Sequence, residues 1–531
     1  MKIKRLWISH KRCLNNFSIE FDISEKGSST ILIGENGAGK STLMEAILEI
    51  VSSFDSETVE RNMTYDYEFE YEYAECPILI KKEERSYQLI IDGELFAKGV
   101  MKTIQNAIKE RKISIFPRRI MAFYSGTNDK LIEFIKTHGN FRLFMKNYFH
   151  YLLHGDSEHV EYFRNSVQIV SKRKYNYFSD ELIPILVISM LGGNASKASE
   201  YLVKQCHFTK IESIRIEVET KVLDTLSSFP DTNLSLIEAF YSTVDLFEHR
   251  LTQLFRNSCL LDMDGKAFFE IENIQDAELD PIALYNFFTL LKEHLKAKIE
   301  VFLSYGNARI NSGDMSEGQR QLIKILGMLG VCKTEDCLVL MDEPDAHMNP
   351  QWKYDIQGII EDLLQEAHFT HALIATHDPL VINGMSKEKI RIFVKQAIND
   401  DGNVSYTTKV VIPEQDTIGL GIDGLLQSEY YGLTSVLDEE TKSKMNQKHN
   451  LLIKRKEGTI TPEETKTLLD LTIELENMSF ARNIPTDSYY DEYVAAMHKI
   501  YSERPKVTLT SEDIIERNAK AEEILRGLLG K

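Results

Sequence analysis

Apolar and polar positions in this chain alternate first with a period of two and later with helical spacing, which sorts it into a strand-rich start, a helical middle and a polar helical end. Residues 1–33 read as two or three strands, the last being the continuous apolar run Ile31, Leu32, Ile33, after which Leu43, Ala46, Ile47 and Ile50 recur as one face of a helix. From Tyr65 to Tyr73 aromatic and acidic residues alternate, with Glu68, Glu70 and Glu72 on one face. That is the pattern of a half-buried antiparallel strand whose rings serve the core rather than stack on bases. The sheet continues from Pro77 to Ile91, turns at Asp92 and Gly93, and a further strand runs from Arg119 to Tyr124.

From about residue 127 to 300 the spacing becomes helical, as in Leu131, Phe134 and Ile135 or in Leu284, Phe287, Phe288 and Leu291, with Pro184, Pro230 and Pro281 interrupting. A proline-broken segment of that length does not suit a long coiled-coil arm. Cys337 to Met341, Ala372 to Ala375 and Ile390 to Gln396 return to short apolar strands. Past residue 400 the chain is polar and mostly helical. Thr461 to Glu464 forms a capping box with Pro462 at the first helical position, and Thr510 to Asp513 opens a last amphipathic helix carrying Ile514, Ile515, Ile524 and Leu528.

Composition narrows the classes that fit. At 531 residues the chain exceeds one ordinary domain. Its 62 basic against 81 acidic residues give a net charge of −19, which argues against broad non-specific binding of nucleic acid and leaves only a local basic groove open. Cys13, Cys76, Cys206, Cys259, Cys332 and Cys337 are scattered without C-x-x-C pairs, so neither a disulfide framework nor a zinc knuckle is expected. The first residues, Met1 to Ser9, alternate like a strand, and no run approaches about 18 apolar residues. A soluble cytoplasmic protein without membrane contact is the expectation.

Candidate chemistry begins where the Ile31–Ile33 strand breaks into Gly34, Glu35, Asn36, Gly37, Ala38, Gly39, Lys40, Ser41, the pattern G-x-x-x-x-G-K-[ST], and then becomes helical. Gly34, Gly37 and Gly39 let successive N–H groups, those of Asn36 and Ala38 among them, converge on phosphate oxygens, with Thr42 in the first helical turn. Lys40 neutralises β/γ charge, and Ser41 offers a hydroxyl to Mg²⁺. The strand Cys337–Met341 ends in Asp342 and Glu343, the first placed to hold Mg²⁺ and the second to polarise the water attacking a γ-phosphate. The strand ending at Ala375 delivers His377 to the same kind of edge, where ligands sit in parallel α/β sheets. Lys40, Glu343 and His377 are therefore the catalytic candidates, and Ser41 and Asp342 the metal ligands. Met315 to Gln319 precedes a helix over Arg320 to Leu329 and offers Ser316, Gly318 and Gln319 as a second anion-binding end.

These four pieces, in this order, resemble ABC-type ATPases of the SMC and RecF-like kind. The resemblance implies an α/β fold, an ABC-type P-loop ATPase head with ATP and Mg²⁺ as ligands, carrying a helical insertion and a helical C-terminal extension. It also implies a homodimer in which Ser316 and Gly318 of one subunit meet the γ-phosphate held by the other. The expected organisation is an N-terminal ATPase lobe over 1–125, a mainly helical insertion over 126–300, a C-terminal ATPase lobe with signature, Walker B and switch histidine over 301–400, and a partner-binding extension over 401–531. Ser125 to Asn128 lies where the family's glutamine loop should fall.

Tyr124 to Asn128, Asp342 to Asp345 with Asn349 and Pro350, and Gly424 to Leu433 with Asp438 carry a narrower resemblance, to PtuA-type ATPases of Septu-like anti-phage systems, including retron-associated ones. It implies a subunit that controls a separate HNH nuclease of the PtuB kind, with a retron reverse transcriptase and its DNA or RNA as further partners. Two alternatives stand beside it: an OLD-like nuclease acting alone, and a RecF- or SMC-like DNA-repair ATPase. Against the first, Lys395 stands where a metal-binding glutamate would be wanted, Asp262 and Asp264 fall before the signature, and His449 with Asn450 lacks the rest of an HNH motif. Lys109 to Lys112, Arg118 with Arg119, and Ser171 to Phe178 are the candidate basic patches. Lys454 to Lys456 reads as a helix C-terminal turn.

Overall fold

The structure is a computed structural model describing residues 1–124 and 175–476, apart from 25–27, 56, 118, 220–243, 246–248, 262–265, 295, 333–335, 367–369, 401–402, 434–436 and 457, with a few positions within 151–161 and 519–526. It divides into two units, Met1–Ile382 with Glu388–Ile412, and Asn383–Lys387 with Pro413–Lys531.

The strands of the first unit, in chain order, are β1 (Lys2–Lys11), β2 (Leu14–Glu20), β3 (Ser28–Gly34), β4 (Tyr67–Tyr73), β5 (Cys76–Glu83), β6 (Ser86–Ile91), β7 (Glu94–Gly99), β8 (Arg119–Tyr124) and β9 (Tyr175–Tyr177). They continue as β10 (Phe208–Glu219), β11 (Cys259–Leu261), β12 (Lys266–Ile271), β13 (Lys298–Tyr305), β14 (Ala308–Asn311), β15 (Cys337–Asp342), β16 (His371–Ala375), β17 (Ile390–Asp400) and β18 (Asn403–Val411). Among the described residues these form three sheets, ordered β2-β1-β4-β5-β6-β7, β11-β12-β10-β13-β14 and β18-β17-β3-β16-β15-β8-β9.

The first sheet is antiparallel throughout. Period two in β4 becomes burial of Tyr67, Phe69 and Tyr71 on one face, with Glu68 and Glu70 on the other paired to Lys81 and Lys4. Asp92 and Gly93 link β6 to β7 with φ of 52° and 79°, the backbone a two-residue hairpin requires. The buried rings pack with Leu43, Met44, Ile47 and Ile50 of the helix Lys40–Ser53 in one core.

The third sheet is parallel from β17 through β3, β16, β15 and β8 to β9, with β18 added antiparallel at one edge. Every residue of β15 and β16 is buried, because helices and the first sheet cover both faces, and this is why those segments read as unbroken apolar runs. All of the chemistry candidates on this sheet follow the C-terminal ends of its strands.

In the middle segment, expected as a mainly helical insertion, the described residues form both helices and strands. Helices do form over Ile183–Leu191, Lys197–Cys206 and Pro281–His294, with Pro184 and Pro281 starting rather than breaking them. Between them lies the five-stranded antiparallel sheet built on β10. Ile214, Ile216 and Val218 of β10 are buried, while Arg215 lies opposite Glu270 of β12 and Glu300 of β13. Alternation here is strand-like, and its charged partners lie outside any local window. Likewise the boundary expected at residue 400 cuts the hairpin β17–β18, in which Asp400 faces Asn403.

In the second unit the helices Glu439–Lys456 and Pro462–Glu476 bury Leu451, Leu452, Leu468 and Leu471 against each other. The capping box is present: Glu464 N–H donates to Thr461 Oγ1 at 3.2 Å, and Thr461 N–H to Glu464 Oε2 at 2.9 Å. Asp438 accepts from the Thr441 N–H at 2.9 Å and caps the preceding helix. Within Gly424 to Leu433, the Gly432 N–H closes a turn on the Ser428 carbonyl at 2.8 Å. The helix expected at residues 510–531 falls largely outside the described residues.

Candidate nucleotide site

β3 runs straight into the glycine loop, where Gly34, Gly37 and Gly39 take φ of 140°, 75° and 98°. Gly39 is the N-cap of the helix Lys40–Ser53, with no side-chain cap and no acid in the first turn. The N–H groups there are left to an external acceptor, and the helix dipole adds positive potential at the same point. Lys40 is buried and donates to the carbonyls of Gly34 at 2.7 Å and Glu35 at 3.3 Å. Burial lowers its pKa, an effect offset by the negative charges of Asp342 and Glu343. Asn36 and Ala38 lie in the loop, and Ser41 and Thr42 in the first helical turn.

Asp342 ends β15 opposite Ala375 of β16 and Tyr124 of β8. It is 3 % exposed, its carboxylate meets the Ser41 hydroxyl, and its Oδ2 is buried with no hydrogen-bond partner among the described residues. Burial pushes its pKa up to about 6 against the opposing Ser41 hydrogen bond. An orphaned carboxylate oxygen beside a serine hydroxyl suits an oxygen-seeking divalent cation, so the residues fit Mg²⁺. Glu343 sits at φ 51°, a left-handed backbone that a non-glycine residue adopts only when its surroundings hold it, and its N–H donates to the Ala375 carbonyl at 2.8 Å. The carboxylate thereby comes within 3.1 Å of His377 Nδ1. Both side chains are accessible, at 37 % and 59 % exposure.

Behind this edge, Thr376 N–H donates to the Leu32 carbonyl at 3.1 Å, and Thr376 hydrogen-bonds Asp345. Asp378 pairs with Lys353 at 2.6 Å and accepts from the Leu380 N–H at 2.9 Å, which fixes the turn after His377. Asn349 accepts from the Trp352 N–H at 2.9 Å, and Pro350 begins the helix Pro350–Glu366. That segment is a helix start.

Ser316 caps the helix Glu317–Val331, its hydroxyl accepting from the Gln319 N–H while Gln319 Oε1 accepts from the Ser316 N–H at 3.0 Å. A capping box therefore accounts locally for two of the three signature candidates. A Cβ on Gly318 would lie 3.1 Å from the His347 carbonyl, and His347 Nε2 is 3.8 Å from Glu317. The signature thus packs on the turn that follows the acidic pair, and His347 shapes that turn at φ 63°.

Other candidates fall differently. Arg119 is 1 % exposed and donates to Asn286 at 3.2 Å, so it is no surface cation. Tyr175 is buried and donates to Asp55 at 2.5 Å, and Phe178 stacks on Tyr285, so these rings are core rather than a platform for bases. Arg111 lies over the Phe96 ring at 4.3 Å. His449 is buried in the second unit. Ser125 to Asn128, Asp262, Asp264, Arg118 and the basic residues of 171–174 lie outside the described residues. No helix among the described residues is long and apolar enough to cross a membrane.

Sequence reasoning missed three contributors. Glu45, an acid inside the apolar helix run, is 4 % exposed and pairs with Arg12 at 2.9 Å, tying the β1–β2 turn to the helix of the loop. Its charge amid Met44 and Ala46 was a readable signal. Lys395 and Thr408 reach the loop from β17 and β18. Their strand neighbours announce only a sheet edge, and nothing local reveals that the loop lies beside them.

Several known proteins are similar to parts of this chain. A family model described as "AAA domain, putative AbiEii toxin, Type IV TA system" matches residues 217–383, and one described as "AAA domain" matches residues 5–183. The chain is 25% identical over 147 residues to Septu protein PtuA of Bacillus mycoides (strain KBAB4), covering 26% of this chain and 19% of that one. It is 23% identical over 283 residues to Septu protein PtuA of Bacillus thuringiensis, covering 48% and 62%. With the Retron Vc95 probable ATPase of Vibrio cholerae serotype O1 biovar El Tor it shares 26% identity over 118 residues, covering 22% and 21%. The matched stretches span less than two thirds of each relative.

Among solved structures, the SmcHead bound to the C-winged helix domain of ScpA superposes with a TM-score of 0.33 at 13% identity, covering 77% of this chain and 97% of that one. The SMC head domain from Thermotoga maritima does so with 0.31 at 12%, covering 78% and 100%. Both superpositions are loose, so the fold assignment rests on the strand order, the phosphate loop and the two AAA matches. The strand order and phosphate loop are those of a P-loop nucleotide-binding head, similar to the AAA domains that the two family models describe. The resemblance to PtuA-type ATPases is borne out by these curated relatives.

Proposed function

We propose that this chain binds and hydrolyses ATP as the regulatory subunit of a bacterial anti-phage complex, and that nucleotide-dependent dimerisation controls a separate HNH nuclease. The observation that carries the reading is the convergence of Ser41, Asp342, Glu343 and His377 on one sheet edge at the mouth of the phosphate loop.

Loop amides and Lys40 bind and orient the polyphosphate, which requires Lys40 to exchange its loop carbonyls for phosphate oxygens. Ser41 and Asp342 would hold Mg²⁺, which supplies charge neutralisation on the β- and γ-oxygens. Glu343 takes a proton from the attacking water, and His377, held at 3.1 Å, orients that carboxylate and reaches towards the γ-phosphate. Ser316, Gly318 and Gln319 serve the nucleotide held by a second copy. Their helix start is already capped by Gln319, so engagement would replace the capping bond with one to phosphate. Residues beyond 412 are the surface offered to the nuclease. The relatives named for Septu and retron systems support the defence assignment.

Two variants test this. Lys40→Ala is expected to abolish ATP binding. Glu343→Gln is expected to keep it, lose roughly 100-fold or more in phosphate release, and accumulate as a dimer under saturating ATP. A monomeric Glu343→Gln protein would sink the trans arrangement. Co-expression with its genomic neighbours tests the rest: an HNH protein should co-elute, whereas a chain that elutes alone and cuts DNA would overturn the regulatory reading.

A further inference from the structure

We infer that Lys395 and Thr408, facing each other across the hairpin β17–β18, clamp the outer side of the phosphate loop and set nucleotide affinity by aiming the Gly37 and Gly39 amides inward. The inference rests on the ATP-binding reading above.

The two residues form one rung of the hairpin ladder. Lys395 Nζ donates to the Asn36 carbonyl at 2.6 Å, and Thr408 Oγ1 donates to the Ala38 carbonyl at 2.9 Å. A third bond, from the Thr408 N–H to the Cys13 carbonyl at 3.1 Å, ties the rung to the turn between β1 and β2. The rung thus grips the loop at two carbonyls on either side of Gly37. Thr408 is 4 % exposed, so its hydroxyl has little water to turn to instead.

In a trans peptide the carbonyl of one residue and the N–H of the next point in opposite directions. Holding the Asn36 oxygen outward therefore turns the Gly37 N–H inward, and holding the Ala38 oxygen does the same for the Gly39 N–H. Glycines on a loop of positive φ would otherwise sample many orientations of those peptide planes. Fixing them beforehand removes part of the ordering cost of binding an anion, because apparent affinity scales with the fraction of molecules already in the competent form.

Lys395 also brings charge. Its Nζ lies 3.8 Å from the Glu35 carboxylate and 3.6 Å from where a Cβ on Gly37 would stand. When Lys40 leaves the Gly34 and Glu35 carbonyls for a phosphate, the grip on Asn36 and Ala38 is untouched. This gives the two lysines of the loop different tasks: Lys40 meets the ligand and Lys395 positions the backbone that meets it.

The test is equilibrium titration of a fluorescent ATP analogue, and of its ADP counterpart, into the full chain carrying Lys395→Met, Lys395→Arg, Thr408→Val or Thr408→Ser. Loss of a neutral hydrogen bond predicts about fivefold weaker binding for Thr408→Val, and loss of a charged one about tenfold for Lys395→Met. Both nucleotides should weaken alike, since the clamp acts on the loop and not on the γ-phosphate. Thr408→Ser and Lys395→Arg keep the donor and should bind within about twofold of wild type, a rescue that bulk packing would not give. Thermal melting without nucleotide checks that the variants fold. If Lys395→Met and Thr408→Val both bind as wild type does, the clamp is refuted while the ATP reading stands. If wild type itself takes no ATP, the ATP reading falls and the clamp falls with it.

Discussion

The seven-stranded and five-stranded sheets of the first unit solve the same problem on opposite terms. In the former, β15 and β16 are buried at every position and the strand ends carry Asp342, Glu343 and His377. In the latter, β13 buries alternate residues, and the polar faces are laced by Arg215, Glu270, Arg309 and Glu212. A strand packed on both faces cannot shift in register or tilt, so what it presents at its end is held in place. A strand wet on one face tolerates change. Chemistry that needs carboxylates placed to a fraction of an ångström accordingly sits on the dry sheet.

The largest expected contrast comes from two glycines. A Cβ on Gly34, at the end of β3, would stand 2.3 Å from the Phe393 carbonyl on β17, with φ at 140°. On Gly306, in the turn between β13 and β14, it would meet nothing within 4 Å, with φ at 58°. Gly34→Ala combines overpacking with backbone strain and should destabilise the unit by about 3 kcal/mol or more. Gly306→Ala carries only the left-handed penalty, about 1 kcal/mol. Denaturant midpoints of the two variants, read side by side, decide it. Equal losses would mean that the two sheets are equally tolerant.

A second contrast is acid sensitivity. His371 begins β16 with no exposure, its Nδ1 accepting from the Ile3 N–H at 3.1 Å and its Nε2 3.0 Å from Thr30 Oγ1. The accepting Nδ1 places the proton on Nε2, which then donates to Thr30. Burial, with Lys2 and Arg391 nearby, lowers its pKa to about 3. The unfolded chain binds that proton near pH 6.5 and the folded one does not, so stability is full above about 6.5 and falls as pH drops towards 3. At pH 5 the loss from this residue is about 2 kcal/mol. His371→Asn removes the titration. Its melting temperature should start lower at pH 7.5 yet change less down to pH 5. Parallel acid limbs for variant and wild type would place the sensitive group elsewhere.

The same contrast accounts for what was legible. β8 and the core of β15 were readable to within a residue because a continuous apolar run ending in Gly, Asp or Ser fits little besides a buried strand, and the loop, acidic pair and switch histidine are local motifs tied to such ends. β10 was not, although Ile214, Ile216 and Val218 alternate plainly, because its polar face is satisfied by Glu270 and Arg309, distant in sequence. The loop contacts of Lys395 and Thr408 were illegible for a related reason: their partners are backbone carbonyls, which leave no mark in a sequence.

The smallest expected effect is on the wet sheet and tests whether its polar face matters at all. Arg309 has several partners: it donates to Ser213 Oγ at 2.7 Å, approaches Glu212 and Glu270 at 3.8 and 3.7 Å, and lies over the Phe302 ring at 4.3 Å. Its side chain is nevertheless 49 % exposed, and both ionic distances are long. Water and salt screen such pairs, and ordering a long side chain offsets much of what remains. Arg309→Ala should therefore cost less than about 1 kcal/mol and lower the melting temperature by no more than about 3 °C, with the difference shrinking in about 0.5 M salt by roughly half. A loss of about 2 kcal/mol that survives high salt would instead make the ring contact and the Ser213 bond structural, and the two sheets would then differ in where they are buried but not in how much each side chain matters.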